Sequence, residues 1–431
     1  MVRIVTSVLI LFSCVCHAQE RLTLQDAIAR TLKRNFDINV AGLSEQQAAR
    51  NNTYGNAGFS PNIFLNGTYY KSQSNVKSEL ANGNAQNNPK AQSTSYSPSV
   101  SVSWTIFDGG KMFLMKKELN EMEALSKVYL KAQIQTVVSH TIQMYAQVVL
   151  QQKQLIAVDT ALALARVRMM ITEMKYETGA GAKVDYLQAR VDYNARQSDS
   201  LTAVSSFTIA TDSLGVLMGE NEDKQYLVDD SLDLDMNLQP IDKTRLENEN
   251  MNLSVYRHNA AISHLNGQIA KTYFLPSLSF NGGFAFSHTN NSTGFALYNQ
   301  SYGPNGTLTF TLPLFEGGNL KRQSKVASLQ VMKDELLLEK QNTVLGRQYR
   351  TAWRNYQVSV AACKLEHENI RYARENLIVQ QARFRVGVAT TLESRQAEND
   401  YITALERLYN AAYNLKINET LVLELENQLV K

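Results

Sequence analysis

The sequence predicts a mixed α and β chain, mostly α, made of one unit written twice, each copy carrying a β-hairpin and a long helical hairpin. Three observations predict it. Blocks of sequence recur at a constant offset of 208 residues, short segments alternate strictly between polar and apolar residues, and two stretches of more than sixty residues run without proline.

The repeat organises everything else. Phe107-Asp108-Gly109-Gly110 returns as Phe315-Glu316-Gly317-Gly318. At the same offset YETGAGAKVDYLQARVDY (residues 176–193) meets FRVGVATTLESRQAENDY (residues 384–401), aligning Gly179 with Gly387, Asp185 with Glu393, Gln188 with Gln396, Ala189 with Ala397 and Asp192 with Asp400. Upstream, SPNIFLNGTYY from Ser60 pairs with LPSLSFNGGFAF from Leu275. Separated blocks sharing one offset point to duplication rather than chance.

The elements follow in chain order. Residues 1–18 have a basic Arg3, an apolar run over 8–15 and small residues at Cys16 and Ala18, the order of a secretory signal cut after Ala18. Cys14 offers lipoprotein processing as the alternative, against which bulky Phe12 argues. With the signal removed only Cys363 remains, which excludes an intrachain disulfide. Residues 19–59 form an N-terminal helical segment, and 60–110 the first transmembrane β-hairpin. There Val100, Val102, Trp104 and Ile106 share one face while Ser99, Ser101, Ser103 and Thr105 share the other. Residues 71–96, rich in Asn, Ser and Gln, read as a long external loop.

The strand then breaks at Gly109-Gly110, whose backbone freedom suits a sharp turn into a helix, with Asp108 placed to favour the helix N-terminus. Gly317-Gly318 and Glu316 repeat the corner. Residues 111–219 form the first long helical hairpin, with a stripe of Ile134, Val138, Ile142, Tyr145, Val149 and Ile156. Residues 220–240 link the copies, and 241–274 are the second helical segment. Residues 275–318 form the second transmembrane hairpin, where Leu278, Phe280, Phe284 and Phe286 oppose Ser277, Ser279, Asn281 and Ala285, and Leu308, Phe310 and Leu312 oppose Thr307, Thr309 and Thr311. Residues 288–303 read as its external loop. Residues 319–431 are the second long helical hairpin, where Ala397, Tyr401, Ala404, Leu408, Ala411, Leu415, Asn418, Val422, Leu425 and Leu429 step by four and three, a coiled-coil seam.

An apolar strand face can meet lipid only in a closed barrel, since every backbone donor and acceptor needs a partner. Four strands cannot close. Two chains would supply eight, with an interior filled by side chains, and three would supply twelve, wide enough for a lumen. The expected assembly is therefore a trimeric 12-stranded transmembrane β-barrel continued by a long α-helical coiled-coil barrel.

Composition narrows the function. A net charge of +3 without any basic cluster excludes a nucleic-acid binder. Thr178 to Lys183 spell TGAGAK but lack the Gly-Lys-Ser/Thr ending of a phosphate loop, and His367-Glu368 is followed by Arg371 where a metal-binding helix needs a second histidine. No catalytic constellation, cofactor or metal site is expected. Trp104, Tyr69, Tyr70, Tyr96 and Tyr298 suit membrane interfaces as well as ordinary strand and loop positions.

The duplicated order, with LTLQDAIARTLKRNFDINVAGLSEQQAAR at its start, the TIFDGG and PLFEGG corners and the YETGAGAKVDYLQAR and FRVGVATTLESRQAE tips, resembles the TolC-like outer-membrane efflux channel family over nearly the whole chain. The resemblance implies a homotrimer in outer-membrane lipid of a Gram-negative bacterium, with a long periplasmic extension. It also implies docking to a periplasmic adaptor (a membrane fusion protein) and an inner-membrane transporter, in efflux of small molecules or secretion of protein.

By that likeness Asp185 and Glu393 match acids lining the closed periplasmic gate. Gln188 and Gln396 stand where the family carries a further acid, so the acidic ring is weaker here. Gly179, Gly181, Val386 and Gly387 form the tips that an adaptor would meet. The alternative is a trimeric coiled-coil surface or adhesion protein anchored by its hairpins, against which the antiparallel duplicated order argues.

Overall fold

The computed structural model describes residues 20–79, 83–220, 226–229 and 232–430. The expected signal segment, with Cys14 and Ala18, lies outside the described residues. In order the chain forms β1 (Glu20–Leu22), α1 (Leu24–Arg34), α2 (Phe36–Asn51), β2 (Asn62–Glu79), β3 (Ala85–Asp108), α3 (Lys111–Glu177), α4 (Lys183–Leu217) and β4 (Tyr226–Val228). It continues with α5 (Lys243–Glu249), α6 (Met251–Thr272), β5 (Ser277–Asn291), β6 (Tyr298–Thr311), α7 (Asn319–Arg385) and α8 (Thr391–Leu425). The chain divides into two compact units, one of Ala41–Lys131 with Met251–Val344, the other of the remaining segments. No helix among the described residues is long and apolar enough to cross a membrane.

The first unit carries an antiparallel sheet in the order β2-β3-β5-β6. Its register puts one row of partners across all four strands: Ile63 faces Val102, Val102 faces Gly282 and Gly282 faces Gly306. Directly paired residues share a face, so Leu65, Val100, Phe284 and Pro304 join the same side, as do Trp104, Phe280 and Leu308. The opposite side carries Ser99, Ser101 and Ser103 with Asn281 and Thr307. A sheet with one apolar and one polar face results.

Two expectations change. Ile106 does not continue the apolar row: the register slips between Thr105 and Phe107, so Ile106 is the extra residue of a bulge and Phe107 takes the place opposite Leu278. The segments expected as long loops, 71–96 and 288–303, are mostly strand. Lys71 to Glu79 pair with residues 85–94, and Thr289 pairs with Asn299. Backbone pairing needs no apolar side chain, so a ribbon wet on both faces loses its hydrophobic alternation without losing its hydrogen bonds.

Glycines fit the packing of this sheet. A Cβ on Gly282 would stand 2.8 Å from the Phe280 ring, and one on Gly306 would stand 3.5 Å from it, so the ring occupies the space those two residues leave. At the strand-to-helix corners Gly109, Gly110, Gly317 and Gly318 have φ of +73°, +86°, +59° and +80°, where a Cβ is strained. The Asp108 carboxylate accepts from Met112 N–H at 3.1 Å and caps the start of α3.

The second unit is helical. β1 and β4 pair in parallel, an element the sequence analysis did not anticipate, and Leu22, Tyr226 and Val228 from them bury against Tyr145, Val149, Leu214 and Met218. Tyr145 donates its hydroxyl to the Leu22 and Asp229 carbonyls, at 3.1 and 3.2 Å. Along α8 the seam residues Ala397, Ala404, Ala411, Leu415 and Val422 are buried. On α3 the stripe holds at Val138, Ile142, Tyr145 and Val149, but Ile156 is 45% exposed and Ala157, Ala161 and Ala165 carry the burial onward. A helix of 3.6 residues per turn drifts about 20° per seven residues, which moves the buried line off a strict heptad. Ala157 and Ala161 then meet Ile402 and Leu405 of α8.

The segment linking the two copies is strapped down by side chains. Tyr356 donates to the Asp235 carbonyl (2.9 Å) and accepts from Leu238 N–H (3.1 Å), while Tyr349 accepts from Ile241 N–H (2.9 Å) and donates to Glu426 (2.7 Å). Burial and the Glu426 carboxylate push the Tyr349 hydroxyl up to about 12.

Candidate functional site

The two helical hairpins turn in the same way. Gly179 has φ +76° and Gly387 +80°. Gly179 N–H bonds the Tyr176 carbonyl and Ala180 N–H that of Lys175, at 3.1 and 2.8 Å; 208 residues on, Gly387 N–H bonds Phe384 and Val388 N–H bonds Arg383, at 3.1 and 2.9 Å. Each is a left-handed glycine cap that satisfies the last carbonyls of the incoming helix. Gly181 tolerates no larger residue in place, since a Cβ there would lie 2.9 Å from Lys175 Cβ. Val386 projects, 75% exposed.

The four gate candidates fall in the first turns after these caps. Glu393 is held by Thr390 in a capping box: Thr390 N–H and hydroxyl donate to its carboxylate at 2.7 and 2.9 Å, and Glu393 N–H returns a bond to the Thr390 hydroxyl at 3.2 Å. Those bonds, the backbone one first, hold the Glu393 carboxyl below its ordinary value, so it stays ionised. Asp185 sits at the matching place in α4, where Ala182 provides no side-chain cap. Gln188 donates to Asp192 at 3.0 Å, and Gln396 to Asp400 at 2.7 Å, the same i,i+4 contact in both copies.

About one turn further on lies a cluster that the sequence analysis missed. Arg168 of α3 is buried, and its guanidinium forks to Glu398 of α8 and to Asp192 of α4, the latter at 3.0 Å. Ser394 donates to the other Glu398 oxygen at 3.3 Å, and Arg395 approaches Asp192 at 3.8 Å. Three helices are thereby tied by two cations and two anions. Burial raises the Glu398 carboxyl above its ordinary value, and Arg168 opposes that rise. A signal was available, because the repeat fails in charge here: Arg168 aligns with Asn376, and Glu398 aligns with Arg190. Among the described residues no group of three or more His, Cys, Asp or Glu side chains is placed to hold a metal.

The chain thus combines a two-faced four-stranded sheet with duplicated helical hairpins whose tips are capped by glycine. The chain belongs to the outer membrane efflux protein family, whose profile matches residues 27–220 and 243–425. It is similar to the outer membrane protein TolC of Escherichia coli, 23% identical over 258 residues covering 58% of this chain and 52% of that protein. It is also similar to the alkaline protease secretion protein AprF of Pseudomonas aeruginosa, 22% identical over 381 residues covering 87% of this chain and 78% of AprF. The chain spans about half the length of the TolC proteins it matches. The crystal structure of the Campylobacter jejuni CmeC outer membrane channel shares its fold, with a TM-score of 0.79 over 95% of this chain and 86% of that one at 16% identity.

Proposed function

We propose that the protein is a passive exit duct of the outer membrane, a homotrimer whose twelve strands close a barrel in lipid and whose long helices form a periplasmic tunnel. It receives cargo from a periplasmic adaptor and an inner-membrane transporter, small molecules or secreted protein, and performs no chemistry on it. Family membership and the likeness to TolC and AprF support this reading.

The observation that carries it is the sheet. Among the described residues nothing covers much of its apolar face: Leu65, Tyr69, Leu308 and Phe310 are each more than 60% exposed. Among the described residues no strand lies beside its edges β2 and β6. The apolar rows from Leu278 to Phe286 rise about 20 Å once a strand tilt of about 40° is allowed for, near the ~25 Å apolar band of an outer-membrane barrel. Aromatic rings gather at one end, where Tyr96 stacks on Phe286 (5.8 Å) and on His288 (4.6 Å), as membrane interfaces favour.

In this reading Asp185, Glu393, Gln188 and Gln396 line the periplasmic constriction, and Gly179, Gly181, Val386 and Gly387 meet the adaptor. The Arg168 cluster makes the two hairpins of one protomer move together. Purification in detergent with mass measurement by light scattering, followed by planar-bilayer recording, tests the proposal. A trimeric mass and steady single-channel steps are expected. A folded monomer that stays out of bilayers would refute it, and a trimer without pores would favour a surface or adhesion protein.

A further inference from the structure

We propose that the sheet gives the duct a neutral sleeve. Where the wall crosses the membrane its water-facing side carries no charge, so cargo of either sign passes and any sorting by charge is left to the helical part. The inference deepens the exit-duct reading and rests on it.

Along β3 the polar side is a ladder of serines at alternate positions: Ser93, Ser95, Ser97, Ser99, Ser101 and Ser103. The register extends this side across β2, β5 and β6 through Ser, Thr, Asn, Gly and Ala, with Phe64 and Tyr70 as its larger members. Some of these groups bond one another: Asn66 donates to the Ser101 hydroxyl at 3.2 Å, and Ser93 donates to Asn291 at 2.8 Å.

Asp, Glu, Lys and Arg make up 19% of the chain, yet none occurs in residues 62–70, 91–107, 277–291 or 298–311. Lipid forbids charge on the apolar half of those positions. It sets no such limit on the half that faces water, so neutrality there is a property of this wall. His288 lies on the apolar side, where it pairs with Tyr96 and stacks on it at 4.6 Å. Charges return at the two ends, with Lys71 at the outer ribbon and Asp108 at the helix corner. Channels select ions with rings of charged side chains or of ordered carbonyls. A hydroxyl both donates and accepts, so a serine ladder solvates cation and anion alike and offers neither a trap nor a barrier.

The test places a thiol on the wall of the full-length protein in phosphatidylcholine vesicles. Ser99→Cys is made with Cys363→Ala, and Ser97→Cys serves as a second probe should the first not fold. Each thiol is reacted with a cationic and an anionic methanethiosulfonate, and the ratio of the two rates is compared with that of free cysteine. The ratio cancels the ionisation of the thiol. At 0.15 M salt it reports the wall itself, because charges more than about 8 Å away are largely screened. The expected ratio lies within about threefold of the free value, whereas a charged lumen would separate the two rates by about tenfold or more. A larger departure than threefold overturns the neutral sleeve and leaves the duct standing. Val100→Cys, on the apolar side, is expected to resist both reagents. If Val100→Cys reacts and the serine positions do not, the polar side does not face water, and the exit-duct reading falls together with this inference.

Discussion

Arg168 on α3 meets Glu398 on α8 across 230 residues of sequence, with side chains only 5% and 8% exposed. Such a pair adds little net stability over well-packed apolar residues, because both charges were taken out of water to make it. Losing one member is a different matter, since the other is left buried with its charge.

Glu398→Ala is therefore expected to cost about 3–5 kcal/mol, leaving the guanidinium with Asp192 alone. The double replacement Arg168→Met with Glu398→Leu is expected to cost well under the sum of the two single changes. Thermal and urea unfolding followed by circular dichroism, arranged as a double-mutant cycle, would measure the coupling. Additive losses would show that the fork is not a unit.

Buried glutamates give the helical unit a pH dependence of definite sign. Burial is the leading cause of the raised Glu424 carboxyl, which Ser139 partly opposes by donating at 2.6 Å. A carboxyl raised in the folded state binds its proton more tightly there than in the unfolded chain. Its contribution to stability grows as pH falls through the folded value towards the unfolded one, and is lost as pH rises. Melting curves between pH 8 and 5 should show Glu424→Gln losing part of the native protein's slope. A slope unchanged by the substitution would place the proton elsewhere.

The parts of the fold that were legible were those whose period survives in the side chains. Val100, Val102 and Trp104 announced a two-faced strand because the apolar side must stay on one face. Ile106 misled because a bulge inserts one residue and reverses the alternation, which no local pattern marks. The outer ribbon from Lys71 was hidden because it is polar on both sides, and β1 and β4 because three residues carry no period. Glu393 was legible as an acid near the tip. Arg168 was not, because its partners come from two other helices, and only the break in charge between the repeats marks them. The tyrosine strap on Asp235 and Leu238 is likewise a long-range contact.

Glycine positions in the sheet should separate sharply under substitution. A Cβ on Gly283 would stand 2.1 Å from the Val100 carbonyl oxygen, inside the pairing of β3 with β5, whereas Gly303 has nothing within 4 Å. Gly283→Ala is expected to lower the stability of the protein by about 1–3 kcal/mol through forced separation of the strands, and Gly303→Ala to change it little. Thermal unfolding followed by circular dichroism would compare them. Equal behaviour would mean that the β3–β5 register adjusts freely.

Glu393 has two possible duties, and a pair of substitutions separates them. As part of the capping box it needs its bonds to Thr390; as a gate residue it needs its charge. Thr390→Val removes the hydroxyl and keeps the acid, while Glu393→Gln keeps a side-chain acceptor and removes the charge. Three carboxylates facing one narrow lumen would attract cations, so Glu393→Gln is expected to weaken block by multivalent cations in planar bilayers while Thr390→Val leaves block largely intact. Because hydrogen bonds from Thr390 hold the Glu393 carboxyl below its ordinary value, cation block in the proposed channel should persist as pH falls from 7 to 5. If Glu393→Gln conducts and is blocked like the native protein, the residue serves the helix start alone, and the gate must be sought at Asp185.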